Sequence, residues 1–129
     1  FMVASNTKGL STLMLATLVD QGKLAWDQPV TQVYPAFRLG NDATTAQTRI
    51  RHLVCACTGL PRKDLEWVFN TPRSTDPARV FPYLAATQPT SGFGEVFQYN
   101  NLITTAGGYI GGSIAYPGQP VGEAYDRAM

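Results

Sequence analysis

The sequence predicts a mainly α-helical fold, and three observations carry that prediction. Apolar residues recur at three- and four-residue intervals in several separate stretches. Most of these stretches open on Ser, Thr, Asp or Asn, or on a proline in the first turn, which are the usual helix starts. Alternating polar and apolar runs, the mark of half-buried strands, are sparse.

Each element follows in order. After Ser5, the residues Leu10, Leu13, Met14, Thr17 and Leu18 repeat at helical spacing, and Gly22-Lys23 supplies a stop, so a first helix is expected from about Ser5 to Gln21. Asp27-Gln28-Pro29 reads as a cap with proline in the first turn of a short helix that must end before Pro35. A polar loop is expected from Arg38 to Gln47. Thr48 is expected to cap a helix whose face carries Ile50, Leu53, Val54 and Cys57, with Gly59-Leu60-Pro61 as its terminator. Asp64 to Phe69 suits one or two turns. Asp76-Pro77 opens a helix towards Ala86 that Pro82 should kink or split. Loop or short extended structure fills Gln88 to Gln98. Asn100 to Ile114 suits a helix despite Gly107, Gly108, Gly111 and Gly112, each costing about 1 kcal/mol relative to alanine. Those glycines need a packing reason, and their spacing makes a smooth strip for close approach. A last helix begins near Pro120.

Length and composition bound the function. The 129 residues fit one domain, and a chain of this size buries roughly two-thirds of its unfolded surface. Apolar residues make up 44% and charged residues 15%, and ten basic against nine acidic side chains leave a net charge of +1. That balance offers no electrostatic footprint for nucleic acid or an anionic membrane. The longest apolar stretches are broken by Asp20, Gln21 or glycines, short of the about 18 residues of a transmembrane span. The opening Phe1-Met2-Val3-Ala4 has no charged leader region or cleavage site, and reads as the interior of a longer chain. One histidine and two cysteines are too few soft ligands for structural zinc, and no cofactor is implied. On a helix, Cys55 and Cys57 would point to different faces, so free buried thiols are expected.

Two clusters carry chemistry. Ser5 and Lys8 are three residues apart at the start of a helix, where side chains share a face with Cβ atoms about 5–6 Å apart. A serine hydroxyl is a poor nucleophile until a neighbour accepts its proton, and an unprotonated lysine does so when burial or positive charge disfavours its ammonium form. The first turn also favours developing negative charge. The plainer reading is an N-cap serine beside a solvated lysine. The second cluster is Phe97-Gln98-Tyr99-Asn100-Asn101, 94 residues beyond Ser5 at its tyrosine. A tyrosine near Ser5 and Lys8 could relay a proton to a leaving group, and an asparagine amide could orient a substrate amide. Alone, the same residues read as a turn tyrosine with an asparagine cap.

Together these segments resemble the serine β-lactamase and penicillin-binding-protein superfamily. Ser5-Asn6-Thr7-Lys8 matches its S-x-x-K motif. Gln21-Gly22-Lys23-Leu24-Ala25-Trp26-Asp27-Gln28-Pro29-Val30 is similar to its EGKLxLDxPV turn. Arg51-His52-Leu53 through Thr58-Gly59-Leu60-Pro61 is similar to its RHLLxHTSGLP segment, and Tyr99-Asn100-Asn101 matches Y-x-N. Tyrosine in that motif brings the chain closer to class C β-lactamases, D-alanyl-D-alanine peptidases and related esterases than to class A enzymes.

The resemblance implies the helical subdomain of an α+β fold, with residues 1–129 forming a partial domain and the sheet largely outside it. It implies Ser5 as acylated nucleophile, Lys8 as its proton acceptor, Tyr99 as the base and acid of acylation and deacylation, and Asn101 as substrate-amide binder. The implied substrate is a small molecule or peptide: a β-lactam, a D-amino-acid peptide or an ester. Most relatives act outside the cytoplasm, in the periplasm or secreted. The third motif, K-T-G or H-x-G, is expected beyond Met129 in the missing C-terminal part of the chain, so the 129 residues alone are expected to be inactive. Ala56, flanked by the two cysteines, replaces the second histidine of the HTSG segment, so hydrogen bonding there must be rebuilt. His52 reads as a structural residue. Two other readings stay open at this level: a catalytically silent relative binding peptidoglycan-like peptides or a protein partner, and a free-standing helical domain in which Ser5, Lys8 and Tyr99 lie far apart.

Overall fold

The computed structural model describes residues 3–65, 72 and 74–129. Six α-helices are found among them: α1 (Asn6–Asp20), α2 (Val30–Val33), α3 (Asp42–Gln47), α4 (Val80–Ala86), α5 (Asn101–Ala115) and α6 (Val121–Ala128). Short 3₁₀ turns occupy Ile50–Leu53 and Pro77–Arg79. The described residues form no strand, and one antiparallel bridge joins Pro29 to Arg49. The expected helical architecture is therefore present, and no described helix is long and apolar enough to cross a membrane.

α5 is the centre of the fold, packed against α1, α4, α6 and the 50–53 turn. Its start is set by Asn100, whose side chain accepts from the Ile103 N–H at 3.0 Å while its own amide donates to the Pro61 carbonyl at 2.8 Å. The cap thus fixes both the helix start and its distance from the 59–61 segment. Ile103 and Ile110 of α5 lie in one buried apolar cluster with Leu15, Val30, Phe37, Ile50, Leu53, Leu60 and Leu84.

Several boundaries differ from expectation. The loop foreseen from Arg38 to Gln47 contains α3, because Asn41 accepts from the Thr44 N–H and buried Thr45 bonds the Leu39 backbone. Side-chain bonds of this local kind stabilise a six-residue helix that apolar periodicity does not announce. Thr48 caps no helix; its hydroxyl donates back to the Thr44 carbonyl, and only a 3₁₀ turn follows. That turn cannot continue, because Ala56 sits at φ 55° and Cys55 is joined to Cys57. The expected free thiols are thus corrected to a disulfide: outside a helix the two Cα atoms lie 5.3 Å apart, within bridging range. Asp76-Pro77 caps as foreseen, with the Asp76 carboxylate accepting from the Ala78 N–H. The break falls at residues 77–79, leaving Pro82 in the first turn of α4, where its missing N–H is harmless. The turns expected over 64–69 fall mostly outside the described residues.

The glycine strip of α5 is buried, as a strip for close approach requires. A Cβ on Gly111 would lie 2.7 Å from Met14 Cε of α1, and one on Gly112 would lie 2.6 Å from the Tyr125 backbone nitrogen of α6. The glycines are what allow α1 and α6 to approach α5 so closely. Exposed apolar side chains lie on α1, where Leu10 is 48% and Leu13 64% accessible, and at Phe97 in the loop before α5. A paired test follows. Gly112→Ala is expected to lower unfolding stability by about 1–3 kcal/mol, since displaced backbone outweighs the helix-propensity gain. Gly9→Ala, in the open on α1, is expected to raise stability by about 0.5–1 kcal/mol. Urea unfolding of both variants checks the opposite signs, and a neutral Gly112→Ala would refute the close-approach account.

Candidate active site

Ser5 is the residue that opens α1, yet its side chain makes no capping bond to the helix. The chain turns into that helix through Ala4 at φ 47°, a conformation that costs a non-glycine residue of order 1–3 kcal/mol and concentrates at functional sites. Released from capping, the Ser5 Oγ lies 2.7 Å from the Tyr99 hydroxyl. Lys8 Nζ, one turn along α1, reaches the same oxygen at 3.4 Å and donates to Asn101 Oδ1 at 2.5 Å. All four residues singled out in the sequence therefore meet at one place, between the first turns of α1 and α5. The accidental-motif reading, which required them to be apart, is overturned.

Electrostatics act on the phenol. Hydrogen bonding from Lys8 first, then from Ser5, holds Tyr99 below the usual tyrosine pKa, against a smaller opposing push from burial. The positive charges of Lys8 and Arg62 pull the same way. Lys8 Nζ lies 4.7 Å and the Arg62 guanidinium carbon 5.0 Å from the Tyr99 ring centroid.

Two participants lie outside the sequence motifs. The Asn101 amide nitrogen donates to Asp64 Oδ1 at 2.6 Å, and Arg62 pairs with the other oxygen of the same carboxylate. A closed circuit results: Ser5 to Lys8, Lys8 to Asn101, Asn101 to Asp64, Asp64 to Arg62, and Arg62 back onto the Tyr99 ring. Arg62 and Asp64 follow the Gly59-Leu60-Pro61 segment immediately, and that adjacency was the one available clue.

The segment from Cys55 to Gly59 carries the loop that delivers Tyr99. The Gly94 N–H donates to the Cys57 carbonyl, the Gln98 N–H to the Ala56 carbonyl and the Thr90 N–H to the Gly59 carbonyl. The Gln98 side chain then closes onto Ser91 and Thr90. His52 is structural, as expected: its Nδ1 accepts from the Arg49 N–H at 3.0 Å, and Phe93 packs edge-on against its ring. Burial, with Arg51 and Arg49, lowers its pKa, which favours the neutral ring that this bond requires. The disulfide thus closes a turn whose carbonyls anchor Tyr99's loop. Reduction, or Cys57→Ser, is expected to lower stability by roughly 1–2 kcal/mol, the scale for so short a closed loop. Denaturant unfolding with and without reductant tests this, and identical midpoints would contradict it.

An open pocket of about 180 Å³ lies beside Lys8, between α1, α5 and α6, with Ser11, Thr104 and Tyr125 in its wall. Among the described residues, no group of three or more His, Cys, Asp or Glu side chains could hold a metal.

Comparison with known proteins bears on the fold and the family. No curated protein matches the chain significantly. The crystal structure of a D-stereospecific amidohydrolase from Streptomyces is similar in fold, with a TM-score of 0.76 at 20% identity. The match covers 98% of this chain and 40% of the amidohydrolase, so the chain spans well under half the length of that structure. The beta-lactamase family model matches residues 1–129, and the chain belongs to the beta-lactamase family.

Proposed function

We propose that this chain supplies the nucleophile-bearing part of a serine hydrolase that works through an acyl-Ser5 intermediate on a β-lactam, a D-amino-acid peptide or a small ester. The observation that carries the reading is the convergence on one serine oxygen of a phenol from 94 residues away, at 2.7 Å, and an amine one helical turn along, at 3.4 Å. Tyr99 is the nearer group, and its lowered pKa suits a phenolate that takes the Ser5 proton as Oγ attacks the carbonyl. The phenol then gives that proton to the departing nitrogen or oxygen; in the second half it accepts a proton from the attacking water and passes it to Ser5 Oγ as the acyl–oxygen bond breaks, which restores the phenolate. Lys8 holds the phenolate electrostatically and orients Asn101. The Asn101 amide has two N–H groups; one faces Asp64, and the other is assigned to the substrate's amide carbonyl.

The similarity to a D-stereospecific amidohydrolase makes D-configured amides the first substrates to try. A Lys/His-x-Gly strand, supplying one oxyanion donor, is proposed to come from outside these residues. Loss of one such donor typically costs about 10²–10³ in turnover, so the isolated 129 residues are expected to be inactive on chromogenic β-lactams and p-nitrophenyl esters. Turnover by the isolated chain that Ser5→Ala abolishes would contradict this.

Mass spectrometry of the full-length protein after a fluorophosphonate or penicillin should find the adduct on the peptide containing Ser5. An unmodified Ser5 would favour a catalytically silent relative that binds peptidoglycan-like peptides or a protein partner.

A further inference from the structure

Asn101 is an amide whose two ends are chemically different, and its neighbours leave one arrangement open. Lys8 Nζ is a donor only, and the Asp64 carboxylate is an acceptor only. The Asn101 oxygen must therefore face Lys8, at 2.5 Å, and its nitrogen must face Asp64, at 2.6 Å. Turning the amide by 180° would set N–H against ammonium and oxygen against carboxylate. Asp64 is itself held by Arg62, whose guanidinium pairs with its second oxygen while lying over the Tyr99 ring.

We propose that Asp64 is a positioning residue: it locks the Asn101 amide with its oxygen on Lys8, and so fixes the ammonium beside Ser5 and Tyr99. The inference rests on the acyl-serine reading for its kinetic consequence, while its structural content stands apart from that reading. Without Asp64 the amide is held from its oxygen end alone, so the acceptor that keeps the Lys8 ammonium in place beside the Tyr99 phenolate is loosened. Asp64 acts on Lys8 through Asn101.

Three variants of the full-length protein test this, with thermal melts to confirm folding. Asp64→Ala is expected to lower kcat/KM for a p-nitrophenyl ester by about 10- to 100-fold, the range for losing a charge-assisted hydrogen bond. Asp64→Asn keeps an oxygen for Asn101 while losing the Arg62 ion pair, and is expected to stay within about threefold of the parent. Because Asp64 acts through Asn101, Asp64→Ala should add nothing in an Asn101→Ala background. An Asp64→Ala variant within twofold of the parent, failure of Asp64→Asn to rescue, or additive losses would each overturn the proposal.

A second readout is independent of turnover. In ¹⁵N-labelled protein, the two Asn101 side-chain protons should be well separated in shift, with the one donated to Asp64 downfield. That separation should collapse in Asp64→Ala and persist in Asp64→Asn. Unchanged amide signals in Asp64→Ala would refute the proposal even if the parent neither labels at Ser5 nor turns over ester. Absent labelling with the expected amide behaviour would instead refute the acyl-serine reading alone.

Discussion

Ser5→Ala is expected to abolish covalent labelling of the full-length protein and to lower acyl transfer on the order of 10⁵–10⁶-fold, the scale seen when a serine nucleophile is removed elsewhere. Lys8→Met, which keeps the length of the side chain and removes its charge, is expected to cost about 10²–10⁴-fold, the range for a group that assists proton transfer. Neither change should disturb the fold. Ser5 is exposed, its side chain caps nothing, and among the described residues its hydroxyl meets only Tyr99 and Lys8, so its removal falls among surface changes worth within about 0.5 kcal/mol either way. Loss of rate at unchanged melting temperature therefore separates chemistry from stability. Steady-state kinetics and intact-protein mass measurement suffice, and a Ser5→Ala protein that still carries an acyl adduct would remove Ser5 from the reaction.

The site was legible in the sequence because its chemistry lies in short, ordered motifs. Ser5 and Lys8 share a helix face by spacing alone, and Tyr99 and Asn101 flank a helix cap that Asn100 announces. Asp64 and Arg62 were not legible. Their roles depend on where the chain runs after Pro61, and nothing in a charged pair two residues apart reveals an asparagine waiting across the fold. The helices with apolar periodicity or strong caps, α1, α5 and α6, were also readable. α3 was not, since six residues built on Asn41, Thr44 and Thr45 owe their helix to side-chain bonds rather than to an apolar stripe. The 48–57 stretch misled for the opposite reason. Ile50 and Leu53 do share a buried face, but the Cys55–Cys57 closure and the left-handed Ala56 end the turn before a second helical repeat can form.

Tyr99→Phe decides which group takes the serine proton. The phenol is the nearer partner of Ser5, at 2.7 Å against 3.4 Å for the amine. If it is the base, only its phenolate form works, so kcat/KM must climb with pH as Tyr99 deprotonates. Hydrogen bonding from Lys8, then from Ser5, and the charges of Lys8 and Arg62 all favour the phenolate. The climb should therefore fall below the pH of about 10 at which an ordinary tyrosine titrates. Arg62→Ala removes one of those positive charges and should move the climb to higher pH. Tyr99→Phe should remove the climb and cost about 10²–10⁴ in rate. Lys8 contacts the same serine oxygen, so the variant rather than the midpoint of the climb makes the assignment. A Tyr99→Phe enzyme that keeps its ascending limb and stays within tenfold of the parent would transfer the role of base to Lys8, leaving the phenol as a spectator that merely holds the serine hydroxyl in place.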